Sequence, residues 1–248
     1  MGAQTTMLSL SEPRESPRVN RAAARCDACA VRSAAICGSL GLDALEDLSR
    51  LGRKIQLHPG QALLWEGNEA VLVGNVIEGM LKLSTVTGAG REQIVGIVFP
   101  SDFIGRPFGK DSHQTVIALT PATVCVFSRA AFDSFASDHG DIERALLLRT
   151  LDELDRARRW MLLLGRMSAP ERVASLLLEI VDRVGPGTPG EPIMLPLSRQ
   201  QMADLLGLAI ETVSRTMTRF EREGLIGLPG GRRVIVTDAS ALERIASG

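Results

Sequence analysis

The feature that most constrains the fold is a run of residues, 141–164, that contains neither glycine nor proline and ends at Gly165. As an α-helix rising 1.5 Å per residue it is roughly 36 Å long, more than a β-domain beside it needs for cover. Five of its residues fall at the spacing of a paired helix: Leu147, Leu151, Leu154, Arg158 and Met161. The run predicts a helix that joins two copies of the chain in a homodimer. Packing of this helix on its own β-domain is the alternative.

Before this helix, residues 55–128 form short β-prone runs separated by turn signals. The runs are ALLWEG, VLVGNVIEG, MLKLSTVT, REQIVGIVF, QTVIAL and ATVCVF. Pro59-Gly60, Glu78-Gly79, Gly88-Ala89-Gly90 and Pro100-Ser101-Asp102 mark turns between them. Many short strands at regular spacing predict a β-roll of the jelly-roll type.

After the helix, residues 198–223 predict a helix-turn-helix. Ser198 and Gln201 cap a first helix that ends at Leu206, Gly207 turns the chain, and a second helix runs from Ile210 to about Glu223. The next segment, LIGLPGGRRVIVTD, predicts a hairpin that turns at Pro229-Gly230-Gly231. Together these elements predict a winged helix-turn-helix and an α+β chain.

The second of these helices has the pattern of a DNA-recognition helix. Val213, Met217 and Phe220 form its apolar stripe, whereas Glu211, Ser214 and Arg215 lie on the opposite face. Arg215 suits guanine and Glu211 suits cytosine, so the two together fit a G·C pair, with Ser214 beside a neighbouring base. Phosphate contacts are expected from Thr212, Arg199, Arg219 and Arg232. The alternative is an ordinary surface pair between Glu211 and Arg215.

Charge and composition add little to this interpretation. The formal net charge is −1, and residues 198–233 hold six arginines against four acidic residues, so the electrostatic signature of DNA binding is weak. The densest apolar cluster, residues 160–164, is far shorter than the roughly 20 residues that a membrane span needs. The polar N-terminal residues do not resemble a secretory signal, so we expect a cytoplasmic protein with no membrane partner.

Three of the four cysteines lie within twelve residues, in CDACAVRSAAIC, and the fourth is distant. The pattern is C-x2-C-x7-C-x87-C, formed by Cys26, Cys29, Cys37 and Cys125. In a reducing compartment such thiols are metal ligands or redox sensors more often than disulfides. A local triple with one distant residue favours the four corners of a [4Fe-4S] cluster over zinc, which is usually bound by two close pairs. Zinc and bare redox thiols remain alternatives, and Cys125 taken alone has the pattern of a buried apolar filler.

The sequence resembles the oxygen-responsive FNR branch of the CRP/FNR transcription regulators, and within it the FnrL/FnrN type. The stretches that carry this resemblance are the cysteine pattern, PSDFIGRP, LDELDRARRWMLLLGR and MADLLGLAIETVSR. It implies that the four cysteines hold a [4Fe-4S] cluster and that Glu211, Ser214 and Arg215 read palindromic TTGAT-type sites. It also implies that the hairpin at residues 87–93 belongs to a surface that contacts RNA polymerase.

The same resemblance argues against binding of a cyclic nucleotide. Regulators that bind cyclic AMP carry a Gly-Glu pair and an Arg-Ser pair, whereas this chain has Arg106 in place of the glutamate and His113-Gln114-Thr115 near the second pair. An enzymatic role is not expected either. His58, His113 and His139 are scattered, and neither a nucleophile–base pair nor a glycine-rich phosphate loop is present.

These inferences divide the chain into five parts. We expect a mobile tail at 1–20, a cluster-binding segment at 21–38, a cyclic-nucleotide-binding-like β-roll at 39–138, a dimerisation helix at 139–165 and a winged helix-turn-helix domain at 166–248. The expected function is that of an oxygen-sensing regulator whose cluster promotes dimerisation and DNA binding without oxygen. Such a regulator activates, and sometimes represses, transcription.

Overall fold

The computed structural model describes residues 19–23, 26–184 and 191–248. The predicted tail at 1–20 therefore lies almost wholly outside the described residues, and residues 185–190 also lie outside them. The last two residues of the predicted tail, Val19 and Asn20, belong to the first strand.

The β-roll consists of two antiparallel sheets. Its strands are β1 (Val19–Ala23), β2 (Arg53–Leu57), β3 (Ala62–Leu64), β4 (Leu72–Glu78), β5 (Leu81–Val86), β6 (Glu92–Val98), β7 (Phe103–Ile104), β8 (Thr115–Ala118) and β9 (Ala122–Ser128). One sheet has the order β1-β2-β9-β4-β7 and the other the order β3-β8-β5-β6. The expected β-roll is confirmed.

Alternation along the strands creates two separate apolar layers in this domain. Ile55, Val76, Val124 and Val126 point between the two sheets and are at most 2% exposed. Residues on the other face of the first sheet, such as Phe127, pack against two helices that flank the β-roll, α1 (Leu42–Leu51) and α2 (Arg129–Asp138). Because successive side chains of a strand face opposite ways, Cys125 belongs to this second layer.

The long helix α3 spans Gly140–Arg166, one residue before the start and two residues past the end of the glycine- and proline-free run. At 1.5 Å per residue its 27 residues extend about 40 Å. Ile142 and Leu163, near its two ends, are buried, whereas most of its leucines are exposed in the single chain. No helix in the described ranges is both long enough and apolar enough to cross a membrane.

The C-terminal domain has the predicted winged helix-turn-helix. Its elements are α4 (Ala169–Val184), β10 (Ile193–Met194), α5 (Arg199–Leu206), α6 (Ile210–Arg222), β11 (Ile226–Gly227), β12 (Arg233–Val236) and α7 (Ala239–Ser247). The Ser198 hydroxyl accepts from the Gln201 N–H and the Gln201 side chain accepts from the Ser198 N–H, so the capping box is complete. Gly207 ends α5 at φ 62°, in the left-handed region that glycine adopts without strain.

The two domains share one apolar core. Ile94, Ile97 and Phe99 from β6 and the turn after it pack with buried side chains of α4 and α5, including Leu177 and Leu205. The side-chain amide of Gln93 donates to the backbone oxygen of Asp204 at 2.5 Å. The helix-turn-helix domain therefore rests on the β-roll.

Candidate cysteine site and nucleic-acid interface

The N-terminal cysteines lie on a compact chain of turns. Cys26–Ala28 and Ile36–Ser39 are short 3₁₀ helices, and the Cys29 N–H donates to the Cys26 oxygen at 3.2 Å. A Cβ at Gly38 would lie 2.7 Å from the backbone oxygen of Ser33, so the chain folds back on itself too closely for any other residue. These turns bring the three predicted ligands of the segment to one side of the β-roll.

The fourth cysteine lies at the centre of the first sheet. On β9, Cys125 stands directly opposite Lys54 of β2 and Asn75 of β4. Residues opposite each other in an antiparallel pair point to the same face. The face that carries Cys125 is the one covered by the cysteine segment, because both line the same cavity.

All four predicted ligands line this single cavity. Its other walls are mostly apolar and come from Val31, Ala35, Leu48, Ile77 and Phe127, with Arg32, Lys54 and Asn75 as the polar members. Each of the four cysteines is half-buried. A Cβ at Gly52 would lie 3.3 Å from the Cys125 sulfur and 2.8 Å from the Phe127 ring, so a glycine is needed beside this sulfur.

In this cavity the cysteine side chains favour the protonated thiol over the thiolate unless a positive charge balances the thiolate. Burial raises the pKa of Cys37 to about 11 and that of Cys125 to about 12, and the neighbouring cysteines add to both increases. Arg149 acts in the opposite direction on Cys37, as Lys54 does on Cys125. A metal that binds thiolate sulfur offsets this cost, because binding displaces the protons.

The donor set of the cavity, four thiols, suits metals that bind thiolate sulfur. A single ion such as zinc draws all its sulfur ligands to about 2.3 Å from one point. A cube is bound through four separate irons, so it needs four thiols around a common space. The four cysteines meet that requirement in number and in donor type.

The cysteine segment packs directly on the long helix. Ile36, next to Cys37, is 1% exposed and lies in the same apolar cluster as Ile142, Ala145 and Leu146 of α3. The Arg149 guanidinium donates to the backbone oxygen of Ala34, inside the segment, and to that of Ser101 at 3.2 Å. The position of the segment and the position of α3 are therefore coupled. Sequence reasoning missed Arg149, since nothing in the helical pattern distinguishes it.

The predicted dimer residues form an exposed row on α3. Leu147, Leu151, Leu154 and Met161 are 44–72% exposed in the single chain. Arg158 is also exposed and pairs with Asp155 of its own helix at 3.1 Å. Leu148, Leu162 and Leu164, which the heptad pattern did not include, widen the apolar face. So large an apolar surface on one helix is typical of an association surface.

The recognition helix presents the predicted polar face. Val213, Met217 and Phe220 are at most 1% exposed and hold α6 against the domain core. Glu211 and Arg215 are exposed and Ser214 is half-buried. The Arg215 guanidinium lies 3.5 Å from the Thr212 hydroxyl, and among the described residues no ion pair joins it to Glu211. Both side chains are therefore available to base edges.

The residues predicted to contact phosphate differ in whether their side chains already have partners within the protein. Arg219 forms an ion pair with Glu223 at 3.0 Å and lies over the Phe220 ring. Arg232 donates to the Pro196 oxygen at 3.3 Å. Arg199 is half-buried beside the Met202 sulfur, and burial lowers its pKa. Contact with phosphate requires Arg219 to exchange a partner, whereas Thr212 already lies on the face of α6 that carries Arg215.

Two further predicted features lie on the β-roll. Residues 87–92 form an exposed hairpin, in which the Thr87 N–H donates to the Arg91 oxygen at 2.9 Å. A cleft of about 1090 Å³ separates the β-roll from α3, and Arg106 and His113, which contact each other, both line it. That the chain does not bind a cyclic nucleotide remains a prediction, which is based on the replaced residues.

Comparison with known proteins matches both domains. The family described as a Crp-like helix-turn-helix domain matches residues 171–245, and the family described as a cyclic nucleotide-binding domain matches residues 54–139. The chain is 41% identical over 223 residues to a probable transcriptional activator of Rhizobium leguminosarum bv. viciae, which covers 90% of this chain and 93% of that protein. It is 39% identical over 227 residues to the transcriptional activator protein FnrL of Cereibacter sphaeroides, with 88% and 90% covered.

Further similarities extend to the nitrogen fixation regulation protein FixK and to solved structures. FixK of Bradyrhizobium diazoefficiens is 36% identical over 223 residues, covering 90% of this chain and 94% of that protein. The structure of FixK2 from Bradyrhizobium japonicum superimposes with a TM-score of 0.74 and 28% identity, over 79% of this chain and 98% of that one. The FixK2 structure therefore shares the fold of this chain over the superimposed range.

Proposed function

Because the chain belongs to the CRP/FNR family of DNA-binding transcription regulators rather than to the enzymes, we propose that it is an oxygen-responsive member. Cys26, Cys29, Cys37 and Cys125 hold a [4Fe-4S] cluster that promotes dimerisation. The dimer binds palindromic TTGAT-type sites under anaerobic conditions. It activates transcription there and represses it at some sites, and the names of the two transcriptional activators among its relatives support the activating role.

The observation that carries this proposal is the position of the cysteine segment. The segment supplies three thiols to the cavity that Cys125 lines from the sheet. On its other side the segment packs on α3 through Ile36 and receives a hydrogen bond from Arg149. When bound, the cluster supplies an oxygen-sensitive link between segment and sheet. The segment in turn holds the dimer helix by its contacts with Ile142 and Arg149.

The DNA side of the proposal follows from the geometry of a two-fold dimer. Pairing along Leu147, Leu151, Leu154 and Met161 gives the dimer two recognition helices. Helices about 34 Å apart, one turn of duplex, enter successive major grooves of a palindrome. A monomer has a single recognition helix and therefore lacks the affinity gained by linking two such helices. Oxygen that loosens the segment therefore shifts the population towards a weakly binding form.

Contact with RNA polymerase is assigned to the hairpin at residues 87–93. Its tip is exposed, while its base is fixed through Gln93 to Asp204 of the helix-turn-helix domain. A hairpin fixed in this way stays close to the helix-turn-helix domain, which supports the assignment.

The test begins with anaerobic purification and measurement of iron, sulfide and the absorbance at about 400 nm, where iron–sulfur proteins absorb. Mass and binding to a palindromic site are then compared before and after exposure to air. We expect a coloured dimer that binds and a colourless form that is smaller and binds weakly. Each of the four Cys→Ser variants is expected to be colourless even under anoxia, whereas Ala28→Ser, in the same segment, retains the colour. Equal mass and equal binding of the coloured and colourless forms would overturn the proposal.

A further inference from the structure

We propose that Asn75 is a positioning residue of the cysteine site, which donates its side-chain N–H to the sulfur of Cys37 and thereby sets the lifetime and reduction potential of the bound cluster. This inference rests on the function proposed above. Asn75 lies on β4, between β9 and β7, in the interior of the first sheet.

The register of the sheet places Asn75 beside the fourth ligand. It stands directly opposite Cys125, which in turn stands opposite Lys54, so the three side chains form one row across β4, β9 and β2. All three line the cysteine cavity. Asn75 therefore touches the space between the ligand of the sheet and the ligands of the segment.

The side chain contacts the segment as well as the sheet. Its Nδ2 lies 4.0 Å from the Cys37 sulfur, at the outer limit of an N–H···S hydrogen bond. A thiolate accepts hydrogen bonds and does not donate them, so the amide nitrogen, and not the amide oxygen, is the end that suits a metal-bound sulfur. Asn75 thus contacts Cys37 of the segment from a strand position opposite Cys125.

The other end of the amide indicates that fold stability does not explain this residue. Asn75 is 2% exposed, and its Oδ1 is buried without a hydrogen-bond partner among the described residues. A buried carbonyl oxygen left unpaired destabilises a protein, and native structures contain few of them. An apolar side chain of similar size would avoid that cost at this position. The need for a hydrogen-bond donor at the Cys37 sulfur explains why an amide side chain lies at this position.

Hydrogen bonds to ligand sulfurs tune iron–sulfur centres in a known direction. They withdraw negative charge from the thiolate and raise the reduction potential, which makes the centre harder to oxidise. Removal of the Asn75 donor is therefore expected to lower the potential and to shorten the life of the cluster in air.

The experiment uses the full chain with Asn75→Leu, which keeps the branched shape of the side chain and removes both polar ends. Under anoxia we expect iron and sulfide to load as in the unsubstituted protein, with a more negative midpoint potential and a cluster lifetime in air shortened several-fold. The melting temperature of the cluster-free variant should be unchanged or higher, because the unpaired Oδ1 is gone. A merely structural role predicts the opposite for that last measurement.

Two further variants make the result decisive. Asn75→Gln keeps an amide and is expected to restore part of the lifetime. Thr115→Val removes a buried hydroxyl from the other sheet and should leave potential and lifetime unchanged. If Asn75→Leu and Asn75→Gln both match the unsubstituted protein in potential and lifetime, this inference is wrong while the proposed function stands. If the unsubstituted protein itself loads neither iron nor sulfide, both are wrong.

Discussion

The carboxylate of Asp102, in the turn that leads into β7, lies 2.5 Å from the guanidinium of Arg183 on α4. It also lies 3.6 Å from Arg156 on α3 and accepts the Phe99 N–H at 3.0 Å. Arg183 stacks over the Phe99 ring, 4.9 Å from its centre. One half-buried carboxylate therefore connects the β-roll, the long helix and the helix-turn-helix domain.

Replacement of Arg183 by alanine should weaken the docking of the two domains. Its side chain is 29% exposed and that of Asp102 14%, so the substitution leaves a largely buried carboxylate with one partner fewer. We expect a loss of about 2 kcal/mol in the free energy of unfolding, measured by urea denaturation. Arg50→Ala, which breaks two ion pairs whose side chains are 57–67% exposed, is the control and should cost less than about 1 kcal/mol. Equal losses would show that Arg183 does not connect the domains.

Replacement of Arg149 by alanine should uncouple the cysteine segment from the dimer helix. The guanidinium joins α3 to the oxygens of Ala34 and Ser101. Under anoxia we expect the variant to retain its iron and sulfide but to show a smaller dimer fraction in sedimentation. Arg144→Ala, at an exposed position on the same helix, is the matched control. A colourless Arg149→Ala variant would instead show that this residue helps to retain the cluster itself.

A charge placed in the exposed row of α3 should prevent self-association. Leu151 is 48% exposed in the single chain and lies between Leu147 and Leu154 in the row. Burial of an unpaired carboxylate costs several kcal/mol, so Leu151→Asp is expected to weaken dimerisation about 100-fold. Leu42→Asp, at a position on α1 that is 75% exposed, should have no such effect. A Leu151→Asp protein that remains dimeric would locate the interface elsewhere.

The long helix and the helix-turn-helix could be predicted because their signals are local. The glycine- and proline-free run located α3 to within two residues at each end, and the Ser198 cap and Gly207 marked the limits of α5. The flanking helices α1, α2 and α7 were missed. Each is only nine or ten residues long, and its stability comes from buried side chains such as Phe132 and Leu242, which contact distant parts of the chain.

The same distinction applies to the candidate site. Spacing and resemblance identified the four cysteines, and the structure brings all four to one cavity. Asn75 and Arg149 could not be assigned in this way, because their positions depend on cross-strand register and on the packing of α3. A single polar residue inside the apolar run LVGNVIE was the one local signal for Asn75. Docking of β6 on α5 joins residues far apart in sequence, and no local pattern predicts it.

The substitutions Arg215→Ala and Arg219→Ala should affect DNA binding differently. Arg215 is exposed on the face of α6 that is predicted to read bases, so its loss is expected to cost about 1–3 kcal/mol and to relax the preference for one base pair. Arg219 is expected to contact phosphate, so its loss should weaken binding equally on all sites and reduce the salt slope by about 1. Titration of the palindrome and of singly substituted sites at several salt concentrations separates the two. If Arg215→Ala weakens every site equally, Arg215 is a phosphate contact.

Two glutamates should give the stability of the cluster-free protein opposite responses to pH. Burial raises the pKa of Glu179 on α4, despite the nearby Arg156 and Arg183. Burial also acts to raise the pKa of Glu92, but the hydrogen bond from Lys82 at 2.5 Å and one from Ser84 outweigh it, and the pKa is lowered. The folded state therefore disfavours the charge of Glu179 and favours that of Glu92.

The signs follow from linkage between protonation and folding. The cost of the Glu179 charge is fully present above its raised folded pKa and is lost as the pH falls from there to the unfolded pKa, so Glu179→Gln should stabilise the protein at about pH 7 and less in acid. The gain from the Glu92 charge is present above the unfolded pKa and is lost as the pH falls through the lower, folded pKa. Glu92→Gln should therefore destabilise at neutral pH, with a difference that disappears in acid. Urea denaturation of each variant at neutral and acidic pH measures both effects, and a Glu179→Gln protein that is less stable at neutral pH would show that its arginine neighbours outweigh burial.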